Sequence, residues 1–440
     1  MIPSFGGLIY TIGAFVIALL IIVAVHEYGH YIVGRWTGIY AEVFSLGFGP
    51  VIWSRKDKHG TRWQLAAFPL GGYVKFLGDA NAASGKDSEA IDAMDQSQRR
   101  HSMHSAPLWA RALTVAAGPV FNFILSILIF GAIIGWRGVA TDPLTIAELL
   151  PVPVEQGLQV GDEILAIDGV KAPKLEEFDK FVLDELPEIP VLEYTVRRGE
   201  NTVDVTGPHP FPAIVSGLNP GSAAIDAGLE LNDYVLTIDG EKMATFATLR
   251  KKVGNSDGEA LQLAIWRNGE TLDVELKPKR VDLPLSEGGF ETRWLIGISG
   301  GMAFVPETQS PGILKSAWHG VDQTFFIIES SLSGLYHMAT GAISSCNMRG
   351  PIGIAQTSGE VASQGLSSFI WFIAVLSTAV GMLNLFPIPV LDGGHLVFHG
   401  FEAVTGRPPS DRALRILMAI GLTFILALMV FALSNDLTCP

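Results

Sequence analysis

Residues 19–33 read LLIIVAVHEYGHYIV, an apolar run into which His26, Glu27 and His30 are set. The run is the end of a longer apolar stretch, about Gly6 to Val33, long enough to cross a bilayer with some tilt. Lipid offers the backbone no hydrogen-bond partners, so a single run of this kind has to be a helix. An ionisable side chain at mid-bilayer depth costs about 2.5–3.5 kcal/mol on insertion scales, which marks these three residues as a working site. In a helix His26 and His30 lie four residues apart on one face, and two such imidazoles supply two corners of a tetrahedral metal site. Glu27 stands beside them without occupying a ligand position, close enough to take a proton from a water there. The plainer alternative is three polar residues hydrogen-bonded to one another inside a helix bundle.

The pattern H-E-x-x-H is the signature of zinc metalloproteases, and composition supports its setting. Of 440 residues, 48% are hydrophobic and only 17% charged, which points to a membrane protein with a substantial soluble part. A net charge of -14 excludes a basic groove for nucleic acid. The two cysteines, Cys346 and Cys439, exclude a cysteine-based zinc site or a disulfide framework, and the sequence does not decide whether they pair. The start of the chain has no basic n-region and no A-x-A-like site, so the first run reads as a retained helix rather than a signal peptide. No charge precedes that run, whereas Arg35, Arg55, Lys56, Lys58, Arg62, Arg99 and Arg100 follow it; the N-terminus is then outside and the loop cytoplasmic.

Within that loop, Ala41–Trp53 and Trp63–Leu77 are β-prone, aromatic and punctuated by glycine, and too short to span as helices. They read as β-hairpins re-entering the membrane beside the histidines, the alternative being strands on the cytoplasmic surface. Asn81–Ser105 reads as a mobile loop or a surface helix. A second span covers about Leu108 to Trp136, where Gly118-Pro119 permits a kink and Asn122 needs a partner in the bundle.

From Gly138 the sequence repeats itself. PVEQGLQVGDEILAIDG aligns with AAIDAGLELNDYVLTIDG, matching Gly157 with Gly228, Asp162 with Asp233, and Asp168-Gly169 with Asp239-Gly240. Each repeat implies strands, a D-G turn, a short helix and a two-strand finish. The pattern resembles the PDZ domain, which takes an extended peptide as an added strand. Phe304–Cys346 reads as one or two amphipathic helices rather than a span, and Arg349–Gly353 as a turn back to the membrane. A third span, about Leu366 to Phe386, runs into NLFPIPVLDGGHLVFHG. Its prolines free backbone groups that only a buried or wet site satisfies. Asp392 follows the break and is favoured as a third metal ligand over His395 and His399; a helix-capping Asp is the structural alternative. Arg407, Arg412 and Arg415 mark a cytoplasmic loop before a fourth span, Leu414–Leu433.

H-E-Y-G-H in the first span together with N-L-F-P-I-P-V-L-D-G-G-H in the third resembles the site-2 protease family, peptidase M50, in its bacterial sigma-E-regulating branch. The likeness extends to Phe48-Gly49, Pro69–Tyr73, Gly118–Asn122, the repeats and Gly350–Gly353. It implies a polytopic α-helical membrane protein with four transmembrane helices, re-entrant β-hairpins and two tandem extracytoplasmic PDZ domains. The expected divisions are 1–137, a membrane domain; 138–209 and 210–281, the PDZ pair; 282–365, an extracytoplasmic amphipathic-helix region; and 366–440, a second membrane domain. By the same resemblance His26, His30 and Asp392 hold Zn2+ and Glu27 is the catalytic base. Asn384 and Pro387 then contact the substrate backbone, and Gly47 and Gly49 belong to a β-element that presents it. Expected partners are single-span membrane proteins, among them an anti-sigma factor trimmed outside and remnant signal peptides, with peptide termini at the PDZ domains. The expected location is a bacterial inner membrane, with both termini and the PDZ pair on the periplasmic side. A non-enzymatic PDZ scaffold with a structural metal and a metal transporter are the alternatives. A transporter needs no acid beside the first histidine, whereas hydrolysis does.

Overall fold

The computed structural model describes residues 5–80, 88–285 and 289–439. These divide into two compact units: residues up to 133 with 313–336 and 345–439, and residues 134–312 with 337–344.

In the first unit, α1 (Phe5–Trp36) is largely apolar up to the turn of His26, Glu27 (its one carboxylate) and His30, and ends with Arg35 in its last turn. β1 (Ala41–Lys56) and β2 (Arg62–Phe76) form a single antiparallel hairpin with an offset register. Leu46 pairs with both Gly72 and Leu65, so the first half of β1 lies between the two halves of β2 and the layer is effectively four strands wide. The reversal sits at Gly47 and Gly49, with φ of 88° and 87°, and a side chain on Gly47 would run into the carbonyl oxygens of Ala66 and Phe68. The inner face packs Phe44, Val74 and Phe76 with Tyr31, Ile39 and Ala110, while Phe48, Val51, Ile52, Trp53 and Phe68 stay exposed.

Of the stretch read as a loop or surface helix, 81–87 lies outside the described residues; the rest holds α2 (Ser88–Ala93) and α3 (Gln96–Arg100). α4 (Leu108–Arg137) carries Pro119 in its interior and buries Thr114, Gly118 and Asn122 along one face.

The second unit contains the repeats. After the short strands β3 (Val139–Ala140) and β4 (Ile146–Leu149) come β5 (Glu163–Ile167), β6 (Val170–Lys171), α5 (Leu175–Asp184), β7 (Val191–Arg198) and β8 (Asn201–Pro208). The second copy follows β9 (Gly217–Leu218) and α6 (Ala223–Asp226) with β10 (Tyr234–Ile238), β11 (Glu241–Lys242), α7 (Phe246–Gly254), β12 (Leu261–Arg267) and β13 (Glu270–Leu276). The sheet orders match, β6-β5-β7-β8 and β11-β10-β12-β13. Each D-G pair turns with both residues at positive φ (51° and 77°, 52° and 79°), the geometry a two-residue hairpin needs. The aligned aspartates do one job twice. Asp162 accepts from the Gln159 amide and is gripped by Arg198, while Asp233 accepts from the Glu230 amide and is gripped by Arg267.

Strands continue where the sequence suggested helix alone. β14 (Lys279–Pro284) and β15 (Phe290–Leu295) form a hairpin, and β16 (Ile298–Ser299), β17 (Phe304–Pro306) and β18 (Thr308–Gln309) return to pair with β9, β4 and β3. Phe304 thereby enters the core of the first repeat. Strands of two or three residues carry too little alternation to be read from sequence.

α8 (Ile313–Ala339) is one helix. Its buried Ser316, Gly320 and Thr324 form a small-residue stripe, and Gly320 and Ser316 meet α4 at Ile127 and Gly131. Where a turn was expected, Gly350 ends it and Pro351 opens α9 (Pro351–Ser363), proline's preferred place in a helix. α10 (Leu366–Asn384), α11 (Asp392–Thr405) and α12 (Asp411–Thr438) complete the chain. Among the described residues four helices are long and apolar enough to cross a membrane: Gly7–Trp36, Leu108–Arg137, Leu366–Asn384 and Asp411–Thr438. Cys346 and Cys439 form a disulfide, and beside it the Asp436 carboxylate on α12 accepts from the amides of Gly350, Ile352 and Gly353 at the start of α9.

Candidate active site

α1 presents His26 and His30 on one face, and α11 delivers Asp392 to the same point. His26 Nε2 lies 3.2 Å and His30 Nε2 3.5 Å from Asp392 Oδ2, and the two Nε2 atoms are 3.2 Å apart. Donors of a tetrahedral zinc site at about 2.0–2.1 Å from the ion stand about 3.3–3.4 Å from one another, so this triangle has the right size. The donor set has the right chemistry too. His30 Nδ1 donates to the Thr114 carbonyl at 2.8 Å, which leaves the Nε2 lone pair facing inward. Asp392 Oδ2 is buried and, among the described residues, makes no hydrogen bond despite its two close neighbours. Lone pairs converging on one point call for a cation. The residues fit zinc.

The loop 385–391 makes this possible. α10 ends at Asn384, and the chain folds back so tightly that a side chain at Gly393 or Gly394 would collide with the carbonyls of Leu385, Phe386 or Ile388. Val390 has φ of 101°, a strained conformation for a β-branched residue. Asp392 is the first residue of α11 and the helix is capped by Leu391, with no side-chain cap hydrogen bond; the capping alternative is therefore set aside.

α4 backs both histidines from one face. Thr114 receives His30, and Asn122 places its amide 3.2 Å from His26 Nδ1. Between them Gly118 lies so close to both rings that any side chain would overlap them. Gly29 does the same from α1, since a Cβ there would strike the Ala117 carbonyl. Glu27 faces β2, where Gly72 packs on its side chain.

The remaining candidates are spread about this centre. Gly47 and Gly49 lie at the reversal of the β1–β2 hairpin, Asn384 is half-buried at the end of α10, and Pro387 is exposed in the loop before Asp392. His395 and His399 lie further along α11, outside the His26, His30 and Asp392 cluster. Three arrangements escaped the sequence: Thr114 and Asn122 behind the imidazoles, the Arg111–Glu402 ion pair between α4 and α11, and the buried Asp79 carboxylate beside His104. Asn122 alone carried a signal, an amide in an apolar run.

The profile of peptidase family M50 matches residues 14–428. The chain belongs to that family. Across nearly the whole M50 chain there are similar proteins of known name. A presumptive zinc metalloprotease of Agrobacterium fabrum is 35% identical over 439 residues, covering 98% of this chain and 97% of the relative. The regulator of sigma E protease of Haemophilus influenzae is 32% identical over 459 residues, covering 97% and 98%. The regulator of sigma-E protease RseP of Salmonella typhimurium is 31% identical over 466 residues, covering 98% and 99%.

Proposed function

We propose that this M50 peptidase is a zinc-dependent intramembrane endopeptidase with His26, His30 and Asp392 as metal ligands and Glu27 as general base. The observation that carries the reading is the triangle of inward-facing donors, with a carboxylate beside it, on helices apolar enough to span a bilayer. Bound zinc supplies Lewis acidity, activating water and polarising the scissile carbonyl. Glu27 takes the proton of the attacking water and returns it to the leaving amine. The Thr114 carbonyl keeps His30 in the tautomer that leaves Nε2 free.

A substrate helix has its carbonyls hydrogen-bonded internally, so cleavage requires an extended segment. The β1–β2 layer offers strand addition, with Gly47 and Gly49 letting the backbone approach closely, and Asn384 and Pro387 hold the other side of the cleaved segment. The exposed Phe48, Val51, Ile52, Trp53 and Phe68 suit a hairpin immersed in lipid. Substrates are single-span membrane proteins, an anti-sigma factor and remnant signal peptides among them; the relatives from Haemophilus and Salmonella are named as regulators of sigma E.

The two repeats, 138–209 and 210–281, are PDZ domains that select substrates already trimmed outside. A disulfide persists in an oxidising compartment, and Cys439 directly follows the last span. With four spans, this reading has the C-terminus, the N-terminus and the 138–365 region on the periplasmic side of a bacterial inner membrane. The test is protein purified in detergent with a model single-span substrate: wild type cleaves, chelation stops cleavage, zinc restores it, and Glu27→Gln keeps metal without cleaving. Substantial proteolysis by clean Glu27→Gln protein ends the general-base assignment. Deleting 140–280 should relax selection for trimmed substrates and leave peptide-bond cleavage intact; loss of all cleavage in a folded deletion counts against a filter.

A further inference from the structure

Asn122 is fully buried, and its amide meets His26 in an unresolved way. Nδ2 is the atom 3.2 Å from His26 Nδ1, while Oδ1 is buried and has no hydrogen-bond partner among the described residues. An imidazole that gives its Nε2 lone pair to a metal carries its proton on Nδ1. An NH2 group facing that N–H sets donor against donor. A half-turn of the amide, whose two ends have the same shape, brings Oδ1 to the ring and makes a hydrogen bond from Nδ1–H. The backbone around it is fixed: the Asn122 carbonyl accepts from both Ser126 Oγ (3.0 Å) and Ser377 Oγ (2.9 Å), tying this turn of α4 to α10.

We infer that Asn122 is a positioning residue for the metal centre, its Oδ1 accepting from His26 Nδ1–H and holding His26 in the tautomer that ligates through Nε2. α4 then treats the two histidines alike, a backbone carbonyl at Thr114 for His30 and an amide carbonyl at Asn122, eight residues on, for His26. The inference rests on the proposed ligand role of His26.

The test is competition for zinc between the purified full-length protein and a chelator of graded concentration, read as retained metal and independently of cleavage. Asn122→Leu fills the space and offers no acceptor; its zinc affinity should fall 10- to 100-fold. Asn122→Ala serves the same purpose if the branched side chain does not fold. Asn122→Asp can only accept, and should hold zinc within about threefold of wild type, in line with the modest cost of preserving the hydrogen bond. The inference is overturned if Asn122→Leu and Asn122→Ala keep wild-type affinity. It is also overturned if Asn122→Asp loses zinc as they do, since the amide would then act as a donor or as packing. His26→Ala separates the two levels: zinc bound as tightly as in wild type would remove the ligand reading itself.

Discussion

Arg111 on α4 donates two hydrogen bonds, of 3.0 and 2.6 Å, to the carboxylate of Glu402 on α11. Glu402 lies ten residues, nearly three turns, beyond Asp392 on that helix, so the pair anchors the far end of the element that delivers the carboxylate to the histidines. Glu402→Gln leaves a largely buried guanidinium without its counterion. We expect a loss of about 1–3 kcal/mol in stability, below the usual cost of breaking a fully buried pair because each side chain keeps some solvent contact. Thermal unfolding in detergent measures it, and the double variant Arg111→Met, Glu402→Leu should recover most of the loss. A double variant as unstable as the single one would show that the pair's charge is not what matters.

Gly47 is predicted to separate binding of metal from handling of substrate. Its φ of 88° and the carbonyls of Ala66 and Phe68 around it leave no place for a methyl group. Gly47→Ala should lower cleavage by more than tenfold while zinc content stays at the wild-type level. Loss of zinc in step with cleavage would place the residue in general folding instead.

The histidine pair on α1 and the isolated aspartate after two prolines were legible because ionisable groups in apolar runs stand out. The repeats were legible because one local solution recurs: Asp162 with Arg198, Asp233 with Arg267 and two D-G turns at positive φ. What stayed hidden depends on three-dimensional pairing. Nothing in the sequence tells that Cys346 and Cys439, 93 residues apart, meet, or that Asp436 caps a helix more than eighty residues earlier. Strands β16 to β18 are too short to carry a period, and Thr114 acts through its backbone, which has no sequence signature.

The repeats should respond to acid through Asp162. Burial disfavours its charge, but the hydrogen bonds from Arg198 and from the Gln159 amide outweigh that, and its carboxyl lies below the ordinary range. The stability it contributes is complete above the unfolded-state value of about 3.9 and is lost as pH falls toward the folded value. Arg198→Met removes the main partner, raises the folded value and moves this loss to higher pH. Amide hydrogen exchange in β5 and β7 across pH 3 to 7 checks it; an unchanged pH profile in the variant would contradict the assignment.

The disulfide predicts sidedness. After reduction, a membrane-impermeant thiol reagent applied to the periplasmic face of oriented membranes should label Cys346 and Cys439, and reagent confined to the cytoplasmic face should not. Cytoplasmic labelling would invert the proposed topology. Cys439→Ser should also lower the thermal midpoint, since the bond closes a long loop and such closures contribute about 2–4 kcal/mol.

The metal content of the purified wild type and two variants tests the convergence of α1 and α11 most directly. Wild type should carry one zinc per chain, His395→Ala should keep it, and Asp392→Ala should lose most of it. Full zinc in Asp392→Ala, or its loss in His395→Ala alone, would contradict a site built from His26, His30 and Asp392.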